Sequence, residues 1–229
     1  MTAVLISALV PGSSLLAETA EQKGLTIARK SEKLDAGWKD QSATMRMVLR
    51  NKSGKEFIRV IHNKTLEIAN DGDKSLIEFD LPRDIKGTAF LSHTHINKAD
   101  DQWLYLKSLK RVKRISTSNK SGAFMGSEFS YEDISSQEVD KYSYKYLKDD
   151  IIDKRNAFKL EQRPTYRYSG YSRIIIWIDK ITYRPLKVEY YDRKNDLLKT
   201  LQFNDYKQYL GKYWRAHEQV MNNHQNGKS

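Results

Sequence analysis

His93 and His95 are the first residues whose type and spacing invite chemistry. Two apart on a strand, they would share one face, and Asp100 or Asp101 follows closely enough to join them as metal ligands. A third convincing ligand is not visible, so no metal is expected. Ser127 follows Gly126, but the run MGSEF at 125–129 lacks the second glycine of a nucleophile elbow. There is no P-loop, dinucleotide fingerprint or zincin helix, and no carboxylate pair stands in an apolar setting. The sequence therefore predicts no catalytic residues, no cofactor and no enzymatic activity.

Charge and aromatic patterning are more informative. Residues 107–120, KSLKRVKRISTSNK, carry six basic side chains and no acid. Such a run serves either as a docking strip for phosphate headgroups or an acidic partner, or as a solvated edge strand protected by charge. The following stretch, 121–140, holds Glu128, Glu132, Asp133, Glu138 and Asp140 without Lys or Arg, so the two runs are also placed to neutralise each other. Within it, 124–134 (FMGSEFSYEDI) sets Phe124, Met125, Phe129 and Tyr131 among small and acidic residues at neither helical nor strand spacing. Either it folds inward as a lid over apolar surface, or it is a loop that anchors itself to the core.

The elements that must position these groups are mostly strands. Ile27, Ala28, Ser31, Leu34 and Trp38 recur at helical spacing, with Gly37 placed to end that helix. The period then changes to two. Met45, Met47 and Leu49 lead through a hairpin turn at 51–54 into 56–62, where Ile58 and Val60 occupy one face. Further strands are expected at 65–69, 75–79, 88–95, 102–107, 109–115, 142–147, 158–162, 173–178, 186–191, 198–206 and 213–221, with short turns between them. This is a mainly β chain: an antiparallel meander of about ten strands, large enough to curl, with one N-terminal helix.

Composition bounds the setting. The chain has 229 residues, a net charge of +11, 14 tyrosines and no cysteine, which excludes disulfides and thiolate metal sites. Its first seventeen residues are uncharged; an apolar run, a Pro-Gly break and Ala17 have the layout of a cleaved signal peptide, although no basic residue precedes the run. A buried N-terminal strand is the alternative. With no linker or repeat in view, 18–229 reads as one domain. Export makes nucleic acid the least expected partner of so basic a chain.

Four stretches, KGTAFLSHTH (86–95), DDQWLYLKSLKRVKRI (100–115), SNKSGAFMGSEFSYEDI (118–134) and YRPLKVEYYDRKNDLLKTLQFNDY (183–206), resemble the LolA-like outer-membrane lipoprotein-sorting proteins. The resemblance implies a strongly curved antiparallel half-barrel whose concave face is covered by helices or loops around an apolar hollow for acyl chains. It implies a periplasmic carrier that moves a lipid or lipoprotein toward the outer membrane alongside an exporter of the resistance-nodulation-division (RND) type, touching membranes only transiently; the lack of cysteine makes it a carrier that is not lipid-anchored. On that footing Met45, Met47, Leu49, Ile58, Val60, Trp103 and Tyr105 are the cavity candidates, with Phe124, Met125 and Phe129 as lid. Lys110, Arg111, Lys113 and Arg114 are the candidates for headgroup or partner contact. The alternative function is an accessory subunit of an exporter with no cargo of its own. Relatives continue into another strand beyond the turn at 226–229, without which 213–221 would be an exposed edge.

Overall fold

A computed structural model describes residues 17–229; the expected leader, 1–17, lies outside the described residues except for Ala17. Helix α1 (Ala20–Asp35) starts at a reciprocal cap. Gln22 N–H donates to Thr19 Oγ1 at 3.1 Å while Thr19 N–H donates to Gln22 Oε1 at 2.9 Å, satisfying two otherwise free donors of the first turn. It ends at Asp35. Gly37, at φ +94°, turns the chain away, so Trp38 stands beyond the helix rather than on its stripe as the spacing predicts.

Twelve strands follow, in two six-stranded antiparallel sheets. The first runs β1 (Asp40–Arg50), β2 (Glu56–Leu66), β3 (Lys74–Leu81), β4 (Ala89–His93), β5 (Asp101–Leu106), β6 (Arg111–Arg114) in chain order. The second comprises β7 (Tyr142–Ile152), β8 (Arg155–Pro164), β9 (Arg173–Asp179), β10 (Pro185–Tyr191), β11 (Leu197–Tyr209) and β12 (Tyr213–Asn223), again as sequential neighbours. The mainly β, meandering architecture agrees with the sequence pattern; the strand number is somewhat higher than about ten. At the first hairpin Asn51 Oδ1 accepts from Ser53 N–H and Lys55 N–H, and Gly54 supplies φ +83°. The strand expected at 65–69 does not exist separately. Pairing of β1 with β2 continues without a break to Asp40↔Leu66, so Thr65 and Leu66 finish β2 and the chain turns only afterwards.

Register assigns the faces. Ile61, Ile77, Phe79, Phe90 and Leu104 lie on one face of the first sheet and form its core. Residues 115–135 cross that inner face. Phe124 is fully buried, its ring centroid 5.8 Å from Phe79 and 5.4 Å from Phe90, with Tyr131 edge-on at 5.6 Å. Acids of this segment then reach the second sheet rather than the basic run. Asp133 meets Lys199 of β11 at 2.5 Å and Tyr171 Oη at 2.6 Å, both partners of the ion pair being almost wholly buried. Glu132 accepts from Tyr166 Oη, Ser169 Oγ and Gly170 N–H. No ion pair joins 107–120 to 121–140 among the described residues; of the mutual neutralisation expected, the structure keeps only the longer-range pull of Glu132 on buried Lys120. The buried acids need partners on packed strands, because a buried carboxylate is stabilised only by close, fixed donors.

Helix α1 covers part of the second sheet. Ile27 packs with Leu160 and Ile178, and Ala28 joins Tyr144, Ile174 and Val188. Close approach depends on Gly24, where a Cβ would stand 2.8 Å from Tyr146 N. At its other end the helix stands off the sheet, with Leu34 42% exposed. The chain ends by folding back: Asn223 N–H donates to the Lys228 carbonyl, and Ser229 exchanges two backbone hydrogen bonds with Arg50 of β1.

Candidate functional site

The separation between the C-terminal half of α1 and the second sheet leaves a hollow of about 1350 Å³. Its sheet wall is apolar and aromatic: Ile176 and Ile178 of β9, Phe203 and Tyr206 of β11, and Trp214 and Ala216 of β12. Facing them are Ala28 and Leu34 of α1, Trp38, Ile68 and Ile96, with Val139 at one side. Charged groups line the same space. Asp73 and Glu138 are each shifted upward in pKa, chiefly because burial disfavours their charged form, while Asp35 at the rim pairs with Arg215. Arg184 is buried with its guanidinium 4.2 Å from the Tyr206 ring and 4.3 Å from Trp214, and its Nε and Nη1 have no hydrogen-bond partner. Burial lowers its pKa from the usual arginine value. About half of the lining side chains are polar or charged, so it is the apolar sheet wall, rather than the hollow as a whole, that suits an elongated apolar ligand.

None of the cavity candidates chosen from the sequence lines this hollow. Moreover, they do not share a face. Met45↔Ile61 and Met47↔Arg59 put Met45, Met47 and Leu49 on the inner face of the first sheet, whereas Ile58 and Val60 pair with Val48 and Arg46 on the outer one. Trp103 and Tyr105 are outer as well, beside Leu91 and Ala89. The grouping failed because the faces of separate strands can be matched only when register is known. Phe124, Met125 and Phe129 sit on the first sheet's core, filling that half rather than spanning an open cavity. The basic residues divide too: register places Arg111 and Lys113 on one face of β6 and Arg114 on the other, and Lys110 precedes the strand. All four are exposed at this edge of the sheet, away from the hollow, and Arg114 pairs with Asp101.

Sequence reasoning named the strands that build the hollow without identifying them as its wall. A usable signal existed in Leu34, an apolar helix residue for which a single helix offers no second partner, and in the run Ile174–Ile178, apolar on both faces of one strand. His93 and His95 do come together, with ring centroids 4.0 Å apart; the expected Asp101 reaches His95 Nε2 at 3.3 Å, and Asp71 from the turn between β2 and β3 faces both imidazoles.

Comparison with known proteins places this geometry. A family model described as that of an uncharacterized protein matches residues 71–229. A Vibrio parahaemolyticus domain assigned to outer membrane lipoprotein-sorting proteins is 57% identical with a TM-score of 0.89, over 91% of this chain and 88% of that one. A DUF1329 family protein from Desulfovibrio piger is 29% identical with a TM-score of 0.87, over 92% and 89% of the two chains. A LolA superfamily protein from Nitrosomonas europaea, 21% identical with a TM-score of 0.70 over 93% and 89%, shares the fold. No curated protein matches the chain. No helix among the described residues is long and apolar enough to cross a membrane. With a relative this similar over nearly its whole length, the chain belongs to the family of outer membrane lipoprotein-sorting proteins, and its fold is of the LolA kind.

Proposed function

We propose that the protein is a periplasmic, non-enzymatic carrier that holds the acyl chains of a lipid or lipoprotein between α1 and the second sheet and moves them toward the outer membrane. The observation that carries this reading is the hollow of about 1350 Å³ with its wall of Ile176, Ile178, Phe203, Tyr206 and Trp214. Each methylene transferred from water contributes about 0.8 kcal/mol, so roughly ten give about 8 kcal/mol, a micromolar dissociation constant before ordering costs. Residues 1–17 act as the export signal and 18–229 as one carrier domain, with an RND-type exporter as its membrane partner. The test is direct. Protein purified without detergent should yield lipid by mass spectrometry after solvent extraction and should bind a fluorescent fatty acid. Ala216→Trp, which fills the hollow from half-buried β12, should weaken fatty-acid binding at least tenfold while leaving the circular dichroism unchanged. Absence of both lipid and uptake in the native chain would overturn the reading.

A second reading, an exporter accessory without cargo, is favoured by β6. Val112 is 65% exposed beside Arg111, Lys113 and Arg114 on a sheet edge, an uncommon apolar exposure among charges. On that reading, Arg111→Glu with Lys113→Glu abolishes exporter pull-down and spares fatty-acid binding.

A further inference from the structure

Asp71, His93 and His95 converge from two separate parts of the first sheet. His93 closes β4, His95 lies two residues on, and Asp71 occupies the turn between β2 and β3. That turn is pressed onto the strand it faces. Thr94 N–H donates to the Asp73 carbonyl at 3.0 Å, and Ile96 N–H donates to Asp71 Oδ1 at 3.1 Å. Gly72 permits the approach, since a Cβ there would stand 2.2 Å from Thr94 Oγ1. Asp71 Oδ2 is thereby delivered to the imidazoles, 2.7 Å from His95 Nδ1 and 3.5 Å from His93 Nε2.

Two further observations concern the histidine nitrogens. Nε2 of His95, whose side chain is 4% exposed, lies 3.3 Å from Asp101 Oδ2, and Asp101 is itself held by Arg114. A proton on that nitrogen donates to Asp101 and leaves the Nδ1 lone pair free to ligate a cation shared with Asp71; a proton on Nδ1 donates to Asp71 at 2.7 Å instead. A carboxylate that fixes the far nitrogen of a histidine in this way is the usual support of a metal-bound imidazole. Meanwhile His93 Nε2 is buried and has no hydrogen-bond partner, which is costly unless something occupies its lone pair.

We propose that Asp71, His93 and His95 form a Zn²⁺ site, with Asp101 orienting His95. Two imidazoles and one carboxylate suit zinc at about 2.0–2.2 Å from each donor, which places donor atoms about 3.3 Å apart in a tetrahedron. The distances of 2.7 Å and 3.5 Å bracket that value, and all three donors lie within 4.8 Å of one another. Asp71 and Ile96 also line the hollow, so the ion fastens the β2–β3 turn at its rim and keeps a fourth position for water. The competing arrangement is a proton in place of the metal: His95 donates from Nδ1 to Asp71, alone or with its other nitrogen also protonated toward Asp101. The proposal stands apart from the carrier reading.

Isothermal titration of the chelator-stripped full chain with Zn²⁺ near pH 7.5 decides between them. One ion per chain is expected, with X-ray absorption reporting two imidazoles and a raised melting temperature. His93→Ala and Asp71→Asn should each weaken binding at least 100-fold, and Asp101→Asn about 10–100-fold. His217→Ala, a histidine stacked on Tyr209 elsewhere, should change nothing. His93 is partly exposed, so its variant retains the fold, as circular dichroism would verify. Absence of stoichiometric binding, or binding indifferent to His93 and Asp71, overturns the proposal. So does a His95 whose ¹⁵N shifts stay doubly protonated with Zn²⁺ present.

Discussion

The inner faces of the two sheets are built from the same pattern and end differently. On the first, the chain supplies its own filling: Phe124 buries completely against Phe79 and Phe90, and Met125, Phe129 and Tyr131 close around it. On the second, α1 docks closely only where Gly24, Ile27 and Ala28 reach the sheet, and beyond that Leu34 faces a space of about 1350 Å³. The contrast teaches where an apolar face becomes available to another molecule. A crossing segment rich in aromatics and tied down by Asp133 and Glu132 removes one face from use, whereas a helix attached at one end leaves the other face half covered. Both faces are apolar; what differs is how their cover is attached.

The sharpest way to break the contrast is to release the crossing segment. Asp133→Ala leaves Lys199 charged and buried without its carboxylate, which should cost toward the upper end of about 3–5 kcal/mol in urea unfolding. Phe124→Ala comes next, at about 3 kcal/mol, since Met125 and Tyr131 can collapse partly into the vacancy. If the first half is closed only by this filling, that variant should also bind an added fluorescent fatty acid per chain. Gly24→Ala tests the attachment of the helix: the new Cβ meets strand backbone at 2.8 Å and should cost about 1–3 kcal/mol, read as a lower melting temperature. The smallest effect concerns pH. Burial raises the pKa of Glu138 at the hollow, so the folded state binds its proton more readily than the unfolded chain. Its contribution therefore opposes folding at pH 7 and is relieved as pH falls through the raised folded pKa, above the usual value of about 4.3. Glu138→Gln should slightly raise the melting temperature at pH 7 and flatten its pH dependence below pH 6.

Much of this contrast was legible before any coordinates. The helix at 20–35 followed from Ile27, Ala28 and Leu34 at helical spacing, and the first hairpin from Asn51 and Gly54 between alternating residues. The inward turn of Phe124 and Tyr131 was one of two readings of an aromatic-rich segment that fits neither period. The cavity residues were not legible. Ile58 and Met47 both read as apolar alternation, and only the pairing Val48↔Ile58 against Met47↔Arg59 reveals that they face opposite ways. Trp103 and Tyr105 likewise read as interior, yet they line up with Leu91, which is 41% exposed. Nor could Asp71 be joined to His93 and His95, because nothing local to 70–73 distinguishes a carboxylate in a solvated turn from one clamped against a neighbouring strand.

By itself the sequence determined the strand-rich class, the N-terminal helix, the turns and the likeness to lipoprotein-sorting carriers. The elements rest on interactions a few residues long, side-chain periodicity and turn chemistry at Asn51, and the likeness on four long stretches of residues. Tertiary structure alone decided which apolar face was filled and which was left open, and which carboxylate met the two histidines. The physical reason is that period two shows a strand to have an apolar face but carries no information about what covers it. Cover depends on contacts between residues far apart in the chain, such as Asp133 with Lys199 and Asp71 with His95, and these exist only once the sheets are in place.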